Sequence, residues 1–346
     1  MRANPPDIGP IARLVNPLIG LCVLVLGLIG LTAWTLAVAP SGELIPSATL
    51  QPVIVPSGEW RAPDFSTIPV DLSGDEIRYG RELIAHTSVY LGPHGKVEAL
   101  SNGMNCQNCH LDAGTRPFGN NFSAVASTYP KFRARSGKVE TMEERVNNCF
   151  ERSLNGKPLP PGGREMKAIV AYMKWIGKEV PAGKTPVGAG ITELQYLDNP
   201  ADPGKGKALY DTKCFTCHGK KGEGELAAGG NEWKYPPLWG AGSYTQGAGL
   251  FRLSRFAGYV KGGMPFGATS TKPQLTDEEA WHLAAYVNSM HRPSLDISHD
   301  WPDISQKPMD HPFGPFADGF DEKQHKYGPF RPIQDFAGKR SGQKKL

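Results

Sequence analysis

Two short motifs of the same form constrain the fold of this chain more than any other feature. Residues 106–110 read CQNCH and residues 214–218 read CFTCH. Two thiols at this spacing can bond one haem while the histidine that follows coordinates its iron. A Cys-x-x-Cys pair is also compatible with a zinc or redox site, but the histidine after both pairs favours haem. The sequence therefore predicts two covalently bound haems c, with the attachment residues Cys106, Cys109, His110, Cys214, Cys217 and His218.

An internal repeat surrounds the two motifs. GRELI at 80–84 precedes the first motif and resembles GKALY at 206–210 before the second, and residues 165–172 resemble residues 279–286. Cys149 lies 23 residues before Tyr172, and Met264 lies 22 residues before Tyr286. The two sulfur side chains therefore occupy equivalent positions in the repeat.

This equivalence predicts the second iron ligand of each haem. Met264 stands in the turn KGGMPFG, which is typical of the loop that presents a methionine to haem iron. By position, Cys149 is the corresponding ligand of the first haem, although a buried structural cysteine is the alternative. His86 and His94 are rival ligands for the first haem, and Lys261 is a rival for the second. The predicted ligands are His110, Cys149, His218 and Met264.

Three helix starts are predicted from the capping-box pattern, in which Ser or Thr is followed three residues later by Glu. The pattern occurs at residues 73–76, 141–144 and 276–279. The helices are expected to carry Ile77 and Leu83, to continue to about Leu154, and to end near Met290, respectively. With two haem motifs, these signals predict an all-α fold of two cytochrome c-type domains in tandem.

A group of arginines surrounds Cys149 in the second of these helices. Arg145, Cys149 and Arg152 stand at positions i, i+4 and i+7, so they share one helix face, and two guanidiniums would flank the sulfur. Such a field favours the thiolate. Arg133 and Arg135 lie just upstream and are expected to join the group. Guanidinium groups bind oxyanions bidentately, which suits a small dianion, although solvated or haem-propionate-binding side chains are the alternative.

The N-terminal region contains a long apolar segment. Residues 18–38 form a 21-residue run without a charge, about the length of a membrane-spanning helix. A cleavable signal has a shorter apolar region, and Pro40 would follow the only plausible cleavage site. Arg2 and Arg13 precede the segment while the next basic residue is Arg61, so the N-terminus is expected in the cytoplasm. The haem domains would then be periplasmic, on a single-pass protein of the inner membrane.

These signals divide the chain into six parts. Beyond Met290 the sequence is rich in Pro, Gly and Phe without helical period, and an extended strap over the haem domains is expected, with a disordered tail as the alternative. The net charge of +4 is too weak to argue for nucleic acid. The predicted parts are a cytoplasmic N-terminus (1–17), a transmembrane anchor (18–39), a Pro-rich linker (40–72), domain 1 (73–185), domain 2 (186–291) and a C-terminal tail (292–346).

The residues around the first motif also resemble a known family. Similarity to the periplasmic dihaem thiosulfate dehydrogenases covers roughly residues 73–291 and is most specific in the helix of Cys149, over residues 144–156. The resemblance implies that Cys149 ligates the active-site haem and that Arg135, Arg145 and Ser153 line the substrate pocket. Some relatives carry a lysine ligand just before the methionine, where this chain has Gly263, so the resemblance does not extend to a ligand switch there.

The implied reaction joins two thiosulfates into tetrathionate and passes two electrons to a periplasmic cytochrome or membrane oxidase. Tetrathionate reduction is the same reaction reversed. A pure electron carrier would leave Cys149 without a function. A membrane-anchored electron-transfer subunit of a sulfur-oxidising or respiratory complex is the alternative that the apolar segment suggests.

Overall fold

A computed structural model of the chain describes residues 25–26 and 58–343. Residues 58–343 belong to one compact unit, and Val25 and Leu26, which are helical, belong to another. The predicted anchor at 18–39 otherwise lies outside the described residues, as does the linker up to residue 57. Within the described part of the chain, no helix is long and apolar enough to cross a membrane.

Helices dominate both cytochrome-like domains. Domain 1 contains α1 (Leu72–Ala85), α2 (Thr87–Leu91), α3 (Leu111–Gly114), α4 (Val125–Thr128), α5 (Met142–Arg152) and α6 (Arg164–Ile176). Domain 2 contains α7 (Pro203–Lys213), α8 (Phe215–His218), α9 (Leu253–Gly263) and α10 (Asp277–Ser289). Each domain has its own apolar core, which is built from its helices. A haem-attachment cysteine packs at the edge of each core.

Two small antiparallel hairpins correct the expectation of a purely helical fold. Strands β1 (Lys131–Arg133) and β2 (Lys138–Glu140) pair in domain 1, and β3 (Glu225–Leu226) pairs with β4 (Trp233–Tyr235) in domain 2. The first hairpin turns through Gly137, which has a φ of 67° that glycine adopts without steric cost. These strands have only two or three residues, too few for an alternating pattern to be recognised in sequence.

Two of the three predicted capping boxes are confirmed. Thr141 Oγ1 accepts a hydrogen bond from the Glu144 N–H at 3.2 Å, and Glu144 Oε2 accepts one from the Thr141 N–H at 2.8 Å. The equivalent bonds join Thr276 and Glu279 at the start of α10. The box predicted at residues 73–76 is wrong. Helix α1 begins at Leu72, because the Asp71 carboxylate accepts from the Gly74 N–H at 2.9 Å and caps the helix earlier.

The internal repeat corresponds to one helix crossing built twice. Helix α1 packs on α6, and α7 packs on α10. A Cβ on Gly80 would lie 1.9 Å from the carbonyl oxygen of Ala168, and one on Gly206 would lie 2.0 Å from that of His282. These carbonyls are each four residues before a repeat tyrosine, Tyr172 or Tyr286. The glycines therefore allow the backbones to touch at equivalent points.

We expect Gly80→Val to destabilise the dihaem protein strongly, because the helices must move apart to admit the side chain. Overpacking of this kind costs about 1–3 kcal/mol, which corresponds to a fall of about 5 °C in the thermal midpoint. Gly319→Ala is the matched control, since a Cβ there would contact nothing within 4 Å. Equal midpoints for the two variants would contradict this role of the crossing.

The C-terminal tail packs on the domains and contains two helices, α11 (Glu322–Tyr327) and α12 (Arg331–Gln343), so the expectation of a tail without helices is wrong. Asp321 caps α11 by accepting from the Gln324 N–H at 2.7 Å. Phe330 and Ile333 are each 2% exposed and belong to the core of domain 2. Further upstream, the tail reaches domain 1 at residues 300–302, beside the helix that carries Cys149.

Candidate active site

The first cavity lies in domain 1 and brings the predicted haem ligands together. It encloses about 910 Å³ of empty space, its open mouth included. Cys106, Cys109 and His110 form part of its wall, and Cys149 forms another part. Most of the remaining wall is apolar. Paired thiols, an imidazole and a second sulfur around one apolar cavity fit a covalently bound haem.

The backbone fixes the orientation of both motif histidines. His110 Nδ1 donates to the Asn120 carbonyl oxygen at 2.5 Å, and His218 Nδ1 donates to that of Pro236 at 2.8 Å. In each ring Nε2 is then the nitrogen free for a metal, an arrangement usual for metal-ligating histidine. In both domains a backbone carbonyl orients the motif histidine, although the accepting residues lie in different loops.

Cys149 sits in an electropositive environment. Helix α5 places it four residues after Arg145, and both side chains line the first cavity. Burial by itself would raise the pKa of the Cys149 thiol, but the Arg145 guanidinium, the His110 side chain and the charge of Arg135 together lower that pKa to about 6. The thiolate in turn raises the pKa of Arg145. This environment favours the thiolate form of Cys149.

The other predicted pocket residues are placed unequally. Ser153 ends α5 and lines the first cavity, and its N–H donates to the Cys149 carbonyl oxygen at 2.8 Å. Arg135 lies at the turn between β1 and β2 and does not line the cavity, although its charge acts on Cys149. Burial and the nearby Arg152 and Arg145 lower the pKa of Arg135 to about 10. Arg135 Nη2 is buried and has no hydrogen-bond partner among the described residues.

The place of Arg152 on the helix face predicted that its guanidinium would flank the sulfur. In the structure this guanidinium is instead paired with a carboxylate. Its Nη1 and Nη2 each donate to one oxygen of Asp300 at 2.7 Å, in a pair whose side chains are 14% and 10% exposed. Arg152 is not among the residues that line the first cavity, and its partner comes from the C-terminal tail, 148 residues away. Tyr129, which lines the first cavity, was also given no role from sequence.

The second cavity lies mainly in domain 2 and encloses about 1780 Å³ of empty space. Cys214, Cys217, His218 and Met264 all line it, so this cavity too fits a covalently bound haem. Asn105 and Cys109 line both cavities. The attachment peptide of the first haem is thus a wall of the second cavity.

The rival ligands predicted from sequence are bound elsewhere or exposed. His86 lines the second cavity and hydrogen-bonds Glu232 through Nδ1 at 2.8 Å, while His94 is exposed. Lys261 donates to the Leu275 carbonyl oxygen at 2.7 Å and pairs with Asp277 at 2.7 Å. These contacts favour Met264 over Lys261. The four predicted iron ligands remain predictions, and their grouping around two cavities is compatible with them.

Gly263 occupies the position at which some relatives carry a lysine according to the resemblance described above. A Cβ at Gly263 would lie 2.6 Å from Leu111 Cδ1, in domain 1. A larger residue there would require only the end of the Leu111 side chain to shift.

Comparisons with known proteins agree with this geometry. Two tandem cytochrome c-type domains, each with a haem-attachment motif at an apolar cavity, define a dihaem c-type cytochrome. The SoxA/TsdA cytochrome c domain family matches residues 96–181, and the cytochrome c family matches residues 204–291. Thiosulfate dehydrogenase from Psychrobacter arcticus is 37% identical over 243 residues, covering 70% of this chain and 71% of that protein. This chain belongs to the dihaem thiosulfate dehydrogenase family and is an oxidoreductase with two covalently bound c-type haems.

Two further relatives support the assignment. Thiosulfate dehydrogenase from Allochromatium vinosum is 36% identical over 265 residues, or 75% of this chain and 92% of that protein. The solved structure of thiosulfate dehydrogenase (TsdBA) from Marichromatium purpuratum, in its "as isolated" form, is similar to this chain with a TM-score of 0.63 and 33% identity. The match covers 68% of this chain and 50% of that one, so the chain spans half the length of the solved protein.

Proposed function

We propose that this protein oxidises two thiosulfate dianions to one tetrathionate, releasing two electrons, at the cavity of Cys149. The observation that carries the proposal is the partly buried Cys149 sulfur beside Arg145, in the same cavity as His110. Thiosulfate dehydrogenases among the relatives of this chain support the choice of substrate. An electron carrier alone would not require a cysteine with charged neighbours at this cavity.

The arginines are expected to bind the substrate. Two dianions repel one another, and guanidinium groups offset this repulsion by donating paired hydrogen bonds to sulfonate oxygens. Arg145 lines the cavity, and Arg135 lies close behind with an Nη2 that has no partner in the described part of the chain. The Ser153 hydroxyl lines the same wall and can donate to a further oxygen. These three side chains and Cys149 are the proposed catalytic and binding residues.

Cys149 can serve as a transient covalent carrier. Its thiolate bonds to the sulfane sulfur of one thiosulfate as two electrons leave. The sulfane sulfur of the second thiosulfate then attacks that bound sulfur, forms tetrathionate and restores the thiolate. When bound, each haem accepts one electron, and the His218 and Met264 ligand pair is expected to give the second haem the higher potential. Mass spectrometry of the Cys149 peptide during turnover tests this step, and the absence of any sulfur adduct would argue against it.

The remaining parts of the proposal concern the cell. Electrons are expected to leave through the second haem to a periplasmic cytochrome or a membrane oxidase, and tetrathionate reduction is the reverse reaction. The apolar run at residues 18–39 supports anchoring in the inner membrane with a cytoplasmic N-terminus and periplasmic haem domains. Co-purification of an acceptor from detergent-solubilised membranes, lost on deletion of residues 1–39, would test this arrangement.

Thiosulfate-dependent reduction of ferricyanide by the dihaem protein, with tetrathionate quantified, tests the enzymatic proposal directly. We expect one tetrathionate for every two ferricyanides reduced. A correctly loaded protein without turnover would instead favour the membrane-anchored electron-transfer subunit.

We expect kcat/KM for thiosulfate to fall on the acid side of about pH 6. The pKa of Cys149 is lowered to about 6, so the thiolate predominates above that pH and is lost as pH falls through it. Stopped-flow reduction of the haems by thiosulfate measures this dependence, with reduction by dithionite as the control for haem accessibility. A profile flat between about pH 5 and pH 8 would contradict the role of the thiolate.

A further inference from the structure

The C-terminal tail contacts the first-haem site through a short segment, residues 300–302, which we call the latch. Asp300 forms the bidentate pair with Arg152 at 2.7 Å. The next residue, Trp301, donates its N–H to the carbonyl oxygen of Arg135 at 2.7 Å. Pro302 packs on the same turn, because a Cβ on Gly137 would lie 2.6 Å from Pro302 Cγ. Three consecutive tail residues therefore hold two elements of the site.

The latch contacts Arg152 through its side chain and Arg135 through its main chain. The guanidinium of Arg152 is fully engaged by a carboxylate in a nearly buried pair. Arg135 is held by its main chain, and its buried Nη2 has no protein partner within residues 58–343. The charge of Arg152 is thus paired with a carboxylate, while Arg135 is held in place with one nitrogen left unpartnered among these residues. The guanidinium groups of Arg135 and Arg152 are near enough to repel each other. Without its carboxylate partner, Arg152 would repel Arg135 more strongly.

We propose that Asp300 is a positioning residue for anion binding at the first-haem site, acting through Arg152 and the turn that carries Arg135. The consequence for thiosulfate rests on the proposed function, whereas the positioning of Arg135 does not. Removing one partner of a buried ion pair leaves an uncompensated charge, which is strongly unfavourable. Loss of Asp300 would therefore release Arg152 and, with the adjoining Trp301 bond, the Arg135 turn.

A second tail ion pair provides the matched control. Asp310 is buried and accepts hydrogen bonds from Arg252 of domain 2 at 2.8 and 2.5 Å. Asp310→Asn removes a tail contact of the same chemistry away from Cys149. Comparison of Asp300→Asn with Asp310→Asn in the full-length dihaem protein separates positioning of Arg135 from a general loosening of the tail.

The first readout requires no activity. Phenylglyoxal labels accessible arginines, and peptide mapping gives the rate at each position. We expect Arg135 to be labelled at least about tenfold faster in Asp300→Asn than in wild type, because the latch opens more often. Asp310→Asn should leave the rate at Arg135 unchanged. An unchanged rate at Arg135 in Asp300→Asn, or equal acceleration in both variants, would overturn the proposal.

The second readout is thiosulfate itself. We expect Asp300→Asn to raise KM by about 10- to 100-fold with a smaller change in kcat, and to weaken thiosulfate binding to the fully reduced protein, where no turnover occurs. Asp310→Asn should alter neither. If Asp300→Asn fails to load haem, Asp300→Glu keeps the charge but shifts it by one methylene, and smaller changes in the same direction are expected. If wild type neither binds nor oxidises thiosulfate, the proposed function fails and the labelling rates alone decide the role of Asp300.

Discussion

Replacement of Cys149 by alanine is expected to lower thiosulfate turnover by about 10³-fold or more while both haems remain attached, because loss of an essential nucleophile removes most of the chemical rate. The attachment cysteines lie on other elements and are untouched by this change. Ferricyanide reduction with tetrathionate quantified gives the rate, and the haem content of the same preparation is the control. A dihaem variant with wild-type turnover would remove Cys149 from the mechanism.

Arg145→Gln is expected to lower kcat/KM by about 10²- to 10³-fold, the usual effect of removing a preorganised charge from an active site. Arg145 is the largest of the influences that lower the pKa of Cys149, so the acid limb of the pH profile should also move to higher pH. Arg145→Lys retains the charge and should lose less.

Arg78→Gln is the matched control for this prediction. Arg78 is an exposed arginine of domain 1 that pairs with Asp75 at 3.1 Å, remote from the cavity. It should leave both the rate and the profile unchanged. An Arg145→Gln variant with an unshifted acid limb would show that its guanidinium does not stabilise the thiolate.

Local signals predicted the parts of this protein that local chemistry determines. The two motifs predicted both haem sites. The repeat predicted that Cys149 and His110 belong to the same site, and both line one cavity. Helical spacing was sufficient to place Arg145 beside Cys149, because both lie on one rigid element. The capping boxes at Thr141 and Thr276 were predicted correctly for the same reason.

Features that depend on distant partners could not be predicted in this way. Nothing near Arg152 indicates that Asp300 binds it, since the two residues meet only when the tail folds back. The cap at Asp71 was missed because Ser73 offers an equally good pattern two residues later. Helix α12 was not predicted because glycines and prolines surround it in the sequence. The packing of Phe330 and Ile333 on domain 2 accounts for the stability of this helix better than its intrinsic helix propensity does.

The shared wall between the two cavities limits how far this protein can be divided. Asn105 and Cys109 border both cavities, and the Tyr259 hydroxyl of domain 2 donates to the Asn108 carbonyl oxygen at 2.6 Å. The domains are duplicated in sequence, yet domain 2 expressed alone would lack one side of its haem pocket. We therefore expect the two domains to fold and to receive their haems as one unit, because the first attachment peptide forms one wall of the second haem pocket.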